Sequence, residues 1–196
     1  MNTKDLILQA SKEEFILNGY NNASLRNIAL KCHISATAIY RHFKNKEEIF
    51  NAVIEPLITY FNKMANYVET KDIDFFNNDN LDEMWKFEHD GGFQLKLLFG
   101  KYNDLVKLIV KERKAWFKEL IINYEYDATI RYINKMKDKG YEIKKFSLIS
   151  FKVLLDSYLE AYLNLLDFNL EKEELLKIGN EINEFFTIGF RNLLGF

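Results

Sequence analysis

Only one cysteine, one proline, eight glycines and three histidines occur among 196 residues, and each scarcity removes a class of protein. Cys32 alone cannot form an internal disulfide, which fits a reducing compartment and makes the cytoplasm the expected location. His33, His42 and His89 have neither the i, i+4 spacing nor a Cys-x-x-Cys companion that builds a zinc site, so no metal is expected. A glycine-rich phosphate loop, a G-x-S-x-G elbow and a Cys–His grouping are all missing, so neither an enzyme nor a cofactor is expected. No apolar run approaches the roughly 18 residues that a membrane span needs. The opening MNTKDLILQASKEEF carries acids where a signal peptide would be apolar. Little Pro and Gly, with no alternating β-branched runs, predicts an all-α protein.

What is present has the balance of a globular chain, 48% hydrophobic and 29% charged. The net charge of −2 offers nucleic acid no overall attraction, but its distribution is uneven. Residues 1–50 hold seven basic against five acidic side chains, and the remainder twenty against twenty-four. An anion-binding surface is therefore expected in the N-terminal quarter.

Helix boundaries follow from capping residues. A first helix runs from about Thr3 to Asn18 and stops at Gly19, which takes a left-handed conformation at low cost. Ser24 caps a second, whose Leu25, Ile28, Ala29 and Cys32 share one face. After a break at His33-Ile34, Ser35 caps a short third helix. Asn45 caps a fourth, with Glu48 completing a capping box. This fourth helix extends to about Val68, and Pro56 is expected to bend it. Asn80 marks another start and Gly91-Gly92 a break, while residues 103–139 form one helix or two. Two long helices, from about Ser147 to Asp167 and from about Glu171 to Leu194, finish the chain.

The third helix carries the chemistry. In SATAIYRHFKNKEE, residues 35–48, Ala36, Ile39 and Phe43 share an inward face, while Thr37, Ala38, Arg41 and Lys44 point outward and Tyr40 and His42 lie on the flanks. Two helices joined by such a break match a helix-turn-helix, with the motif at about 24–44. The second helix of that unit enters the major groove, and polar flanking groups reach the phosphates on either side. Tyr40 and His42 suit those two backbones, and Lys46 with the first amides of the fourth helix adds a phosphate site. Thr37 and Arg41 are the candidate base readers, with Ala38 against a thymine methyl. Arg26 and Ser35 complete the DNA-facing set.

These residues, with GY at 19–20, SLRNIA at 24–29, IS at 34–35 and IYRHFKNKEEIF at 39–50, resemble the DNA-binding domain of TetR-type (TetR/AcrR) transcriptional regulators. The resemblance implies a DNA-binding domain over residues 1–50 and an effector-binding and dimerisation domain over 51–196. It makes Tyr40, His42 and Lys46 phosphate contacts, and the third helix the recognition helix of a homodimeric repressor on a palindromic operator. Three positions depart from the family pattern. His33 stands where Gly is usual in the turn, Ala38 where Thr is frequent, and Ala36 where a polar residue is common. A left-handed backbone at His33 would cost about 1 kcal/mol.

Beyond residue 147, Lys152, Asp156, Glu160 and Asn164 form one narrow polar stripe on an otherwise apolar helix, which must therefore bury two sides. Phe151, Leu155, Tyr158, Leu159 and Tyr162, with Ile182, Phe186, Gly189 and Phe190 of the last helix, are candidates for a dimer interface. Two such helices per subunit would build a four-helix bundle about a two-fold axis. The resemblance also implies that the middle helices enclose a pocket for a small, largely apolar effector, for which Trp85, Trp116 and Tyr124 are candidates. A different function stays open at this point: a helical small-molecule carrier or interaction protein that binds no DNA.

Overall fold

Helices begin where short polar side chains can bond the free amides of a first turn. The computed structural model describes residues 2–78, 80 and 92–195, so Trp85, His89 and Gly91 lie outside it. Every regular element among the described residues is helical. In chain order they are α1 (Thr3–Asn22), α2 (Leu25–Lys31), α3 (Ala36–Ile39), α4 (Lys46–Asn77), α5 (Gly92–Phe99), α6 (Asn103–Asp138), α7 (Leu148–Asn164), a 3₁₀ turn at Leu165–Asp167, and α8 (Lys172–Leu194). The chain divides into two units, Met1–Lys63 with Tyr102–Lys114, and Met64–Lys101 with Ala115–Phe196.

In the N-terminal unit, Asn2 and Asp5 open α1 with a reciprocal capping box. The helix kinks at Gly19 (φ +74°) and continues to Asn22, so the stop expected at that glycine is a break within the helix. A Cβ there would stand 2.7 Å from Oε1 of Glu112, whose flexible tip can move aside, so position 19 needs glycine for its left-handed backbone. Ile7, Phe15, Ile28, Ile39, Phe43, Ile49, Phe50 and Ile109 form the interior of this unit. Phe50 meets Phe15 and Tyr20 edge-on, with ring centroids 5.4 and 5.1 Å apart. At the start of α4, Glu48 N–H donates to Asn45 Oδ1 (2.8 Å) and the Glu48 carboxylate accepts from Lys44 N–H (2.6 Å). Glu48 thus reaches the amide one residue before the one the expected capping box would use, and the two bonds together satisfy free amides where this long helix begins. Pro56 stands inside α4 without ending it, and the helix extends past Val68 to Asn77. Residues 103–138 form one helix interrupted at Arg113 (φ −148°, ψ 42°), one residue before the N-terminal unit's share of α6 ends at Lys114.

The C-terminal unit is built by the last part of α4, α5, the rest of α6, α7 and α8. Tyr162 is fully buried and donates through its hydroxyl to Gly179 O (2.8 Å). A Cβ on Gly179 would come within 2.7 Å of a Leu95 methyl, so this glycine permits α5 and α8 to pack closely. Buried Asn183 accepts from the Tyr158 hydroxyl (2.6 Å), and Lys118 pairs with Asp156 (2.7 Å) and Glu160 (2.8 Å). Half of the polar stripe on α7 is therefore used to bind α6 within the subunit.

Candidate nucleic-acid interface and effector cavity

The turn between α2 and α3 is a Schellman closure. Ile34 N–H reaches Ala29 O (3.0 Å) and His33 N–H reaches Leu30 O (3.1 Å), with His33 left-handed at φ +56°. Histidine thus adopts the backbone that favours glycine. Ser35 caps α3 through its hydroxyl, which accepts from Ala38 N–H (3.1 Å). The α-helix itself ends at Ile39, and the chain tightens by i→i+3 bonds, Arg41 N–H to Ala38 O (3.2 Å) and His42 N–H to Ile39 O (2.9 Å). The short third helix is therefore one turn followed by a tighter one. Ile39 and Phe43 are buried. Arg26, Ser35, Thr37, Arg41 and His42 are exposed, Tyr40 is 56% exposed, and Ala38 is half-buried. A polar, partly basic surface surrounds two apolar anchors.

Groups distant in sequence hold this surface in place. Glu14, only 2% exposed, accepts from Ser24 N–H (3.2 Å) and from the Asn27 side chain (3.2 Å), fastening the start of α2 to α1. Lys46 directs its ammonium at Tyr20 O (2.7 Å), Asn21 O (3.1 Å) and Ala23 O (3.3 Å). An ammonium has three donors, and here they meet carbonyls at the end of α1. A phosphate would have to replace carbonyl partners to engage Lys46. Next to it, Glu47 accepts from the Tyr20 hydroxyl (2.9 Å) and from Arg113 (2.6 Å), whose guanidinium also lies over the Phe50 ring at 4.9 Å. The Arg113 hydrogen bond holds the Glu47 carboxyl below the usual carboxylate range against the opposing effect of burial. Tyr20 is pushed up, chiefly by burial and then by Glu47. Nothing local in the sequence marks Glu14 or Arg113, because their partners stand ten or more residues away.

The C-terminal unit contains a small recess of about 20 Å³, room for about one water. Leu97 and Leu98 of α5, Ile121, Ile122 and Glu125 of α6, and Leu155, Tyr158 and Leu159 of α7 line it. Burial pushes the Glu125 carboxyl up to about 7, and nearby Asp72 adds to the shift. Asp72 is likewise raised to about 7, by burial and then by Glu69. Two of the aromatic candidates, Trp116 and Tyr124, do not form this wall. Trp116 is 44% exposed, Tyr124 donates instead to Glu69 (3.3 Å), and Trp85 lies outside the described residues. The recess is chiefly aliphatic, assembled from three helices whose individual patterns read as core.

The candidate dimer residues separate into two groups. Phe151, Leu155, Leu159 and Tyr162 are buried within the chain, and Tyr158, Ile182, Phe186 and Phe190 are half-buried. The buried four are already covered and offer little further area to a partner, which corrects the expectation drawn from their spacing. Helical periodicity separates apolar from polar faces but does not say which apolar side meets the chain's own core. Gly189 is exposed, with open space where a Cβ would stand. Outside that core, α7 exposes Leu148, Ile149 (79%), Val153 and Leu154, and α8 exposes Leu176, Phe185 (74%) and Ile188.

The N-terminal geometry defines a helix-turn-helix protein. Residues 7–53 match the family described as bacterial regulatory proteins, tetR family. It is 40% identical over 52 residues to the HTH-type transcriptional regulator UidR of Escherichia coli (strain K12), covering 26% of each chain. It is 43% identical over 54 residues to the HTH-type transcriptional regulator QacR of Staphylococcus aureus (strain Mu50), covering 28% of this chain and 29% of the relative. The chain thus matches about a quarter of the length of these curated relatives. Over nearly its full length it shares a fold with the transcriptional regulator FadR from Bacillus subtilis, solved in complex with stearoyl-CoA. That likeness has a TM-score of 0.58 and 18% identity, and covers 94% of this chain and 98% of the other. No described helix is long and apolar enough to cross a membrane.

Proposed function

We propose that this chain is a homodimeric transcriptional repressor that binds a palindromic operator and releases it when a small, largely apolar effector enters the C-terminal unit. The observation that carries the reading is the exposed set Thr37, Tyr40, Arg41 and His42 fixed by buried Ile39 and Phe43. Tyr40 and His42 contact phosphates, Thr37 and Arg41 read base edges, and Arg26, Ser35 and Ala38 line the same surface. The exposed apolar face of α7 and α8 supports a two-fold dimer, which presents two recognition elements about one DNA turn apart. An effector would enter at the aliphatic recess beside Glu125, which must widen to admit it, and the ligand acts only through its different affinity for the two states. The FadR structure, holding stearoyl-CoA, supplies an example of ligand binding on this fold.

Operator binding is tested by fluorescence anisotropy on the DNA flanking the gene. Three to four phosphate contacts per subunit give a slope of log K against log[salt] of about −5 to −7, and the steeper value requires Lys46 to exchange carbonyls for phosphate. Tyr40→Phe weakens binding equally on all sequences, whereas Arg41→Ala also relaxes base preference. Weak, salt-independent association on every fragment overturns the repressor reading in favour of a carrier.

A further inference from the structure

We infer that Lys46 positions the recognition element instead of contacting phosphate: its ammonium clasps the two ends of the helix-turn-helix, and the clasp stays closed on DNA. This deepens the DNA-binding reading and rests on it. The chain enters the helix-turn-helix from Ala23, the C-cap of α1, and leaves it at Lys46, the first residue of α4. Lys46 Nζ lies 2.7, 3.1 and 3.3 Å from the carbonyl oxygens of Tyr20, Asn21 and Ala23, so its three donors are used and one of them falls on the residue where the segment begins. The same nitrogen stands 4.8 Å from the centre of the Tyr20 ring, whose hydroxyl donates to Glu47 (2.9 Å). Carbonyls at a helix C-terminus have no partner within the helix, and a cation there also meets the negative end of the helix dipole. A phosphate would have to draw the ammonium away and leave partly buried carbonyls of Tyr20 and Ala23 without this donor. Arg41 and His42, by contrast, stand exposed. Holding residues 23 and 46 together restricts the segment between them, because a chain with closed ends has fewer conformations. The third helix lies in that segment, so the clasp limits where Thr37, Tyr40, Arg41 and His42 can stand.

Fluorescence anisotropy of the full chain on the flanking DNA, across a series of salt concentrations, compares the unaltered protein with Lys46→Met. An opened clasp lowers affinity by about tenfold at every salt concentration and keeps the slope of log K against log[salt] within about 0.5 of the unaltered value. Loss of one phosphate contact from each subunit of a dimer instead makes that slope shallower by about 1.8, which overturns the inference and leaves the DNA-binding reading standing. Unchanged affinity and slope overturn it as well. Hydrogen exchange of the DNA-free chain supplies a second readout. Lys46→Met should speed exchange of the Ile34, Ala38 and Arg41 amides, which close the turn and the third helix, by about tenfold, and equal rates in the two proteins count against the clasp. If Lys46→Met fails to fold, NMR of the lysine ammonium groups in the unaltered chain decides. Coupling from the Lys46 nitrogen to a DNA phosphorus, or fast exchange of its hydrogens once DNA is bound, overturns the inference, and slow exchange without such coupling bears it out. An unaltered chain that shows no salt-dependent binding overturns the DNA-binding reading, and the positioning role falls with it.

Discussion

The two units of this chain place their polar and apolar groups in opposite ways. In the N-terminal unit, buried or half-buried charges have hydrogen-bond partners: Glu14 at the start of α2, Lys46 at the end of α1, Glu47 in Tyr20 and Arg113. Its surface around α3 is polar. In the C-terminal unit, the carboxyls of Asp72 and Glu125 sit inside without a compensating base among the described residues, while Ile149, Val153 and Phe185 face outward. The first arrangement suits a rigid platform whose partner is a charged polymer. The second leaves an apolar face that a second subunit would cover, and the difference therefore corresponds to what each unit is proposed to bind.

The largest effect that would break this comparison comes from the exposed apolar face. Phe185→Asp leaves the subunit's own core untouched, so sedimentation equilibrium should show monomers, with operator affinity reduced by about 100-fold or more. A variant that remains a dimer would show that α7 and α8 do not pair through this face. Next is Glu14→Ala, which strands the Ser24 amide and the Asn27 side chain and should cost roughly 2–4 kcal/mol in urea unfolding.

Titration sharpens the contrast further. Glu47 is held below its ordinary value, so its contribution to stability is present above the unfolded-state value and disappears as pH falls through the folded one. Glu125 and Asp72 are raised to about 7, so between their unfolded values and 7 the folded state binds more protons and stability falls as pH rises. Denaturant melts from pH 4 to 8 should show the C-terminal unit losing on the order of 1–3 kcal/mol, and Glu125→Gln should flatten that loss. The smallest effect is at the turn. His33→Gly relieves a left-handed backbone at some cost in unfolded-chain entropy, for a net gain of up to about 1 kcal/mol in thermal unfolding.

Much of the N-terminal unit is legible in the sequence, because its signals are local. Ser24, Ser35 and Asn45 cap where their neighbours allow, and the Ile39–Phe43 spacing sets the inward face of α3. The left-handed turn at His33 is what the family resemblance implies, since Gly is usual at that position. What escapes a sequence reading is the set of partners brought together from afar. Lys46 looks free for phosphate because nothing near it in sequence shows that Tyr20, Asn21 and Ala23 end a helix beside it. The interruption of α6 at Arg113 has no proline or glycine to mark it.

The C-terminal unit is legible as helices but not as surfaces. An apolar residue on a 3.6-residue repeat is compatible with its own core, a partner or a ligand, since all three bury hydrocarbon. Sequence alone therefore determined the all-helical composition, the helix-turn-helix and the outward set from Thr37 to His42, each through hydrogen bonds or periodicity spanning a few residues. Tertiary structure decided that Phe151, Leu155, Leu159 and Tyr162 belong to the core, that Ile149, Val153 and Phe185 do not, and that Glu125 stands in an aliphatic recess. The physical reason is that burial and the cost of an enclosed charge depend on distant segments, and those are positioned only when the helices pack.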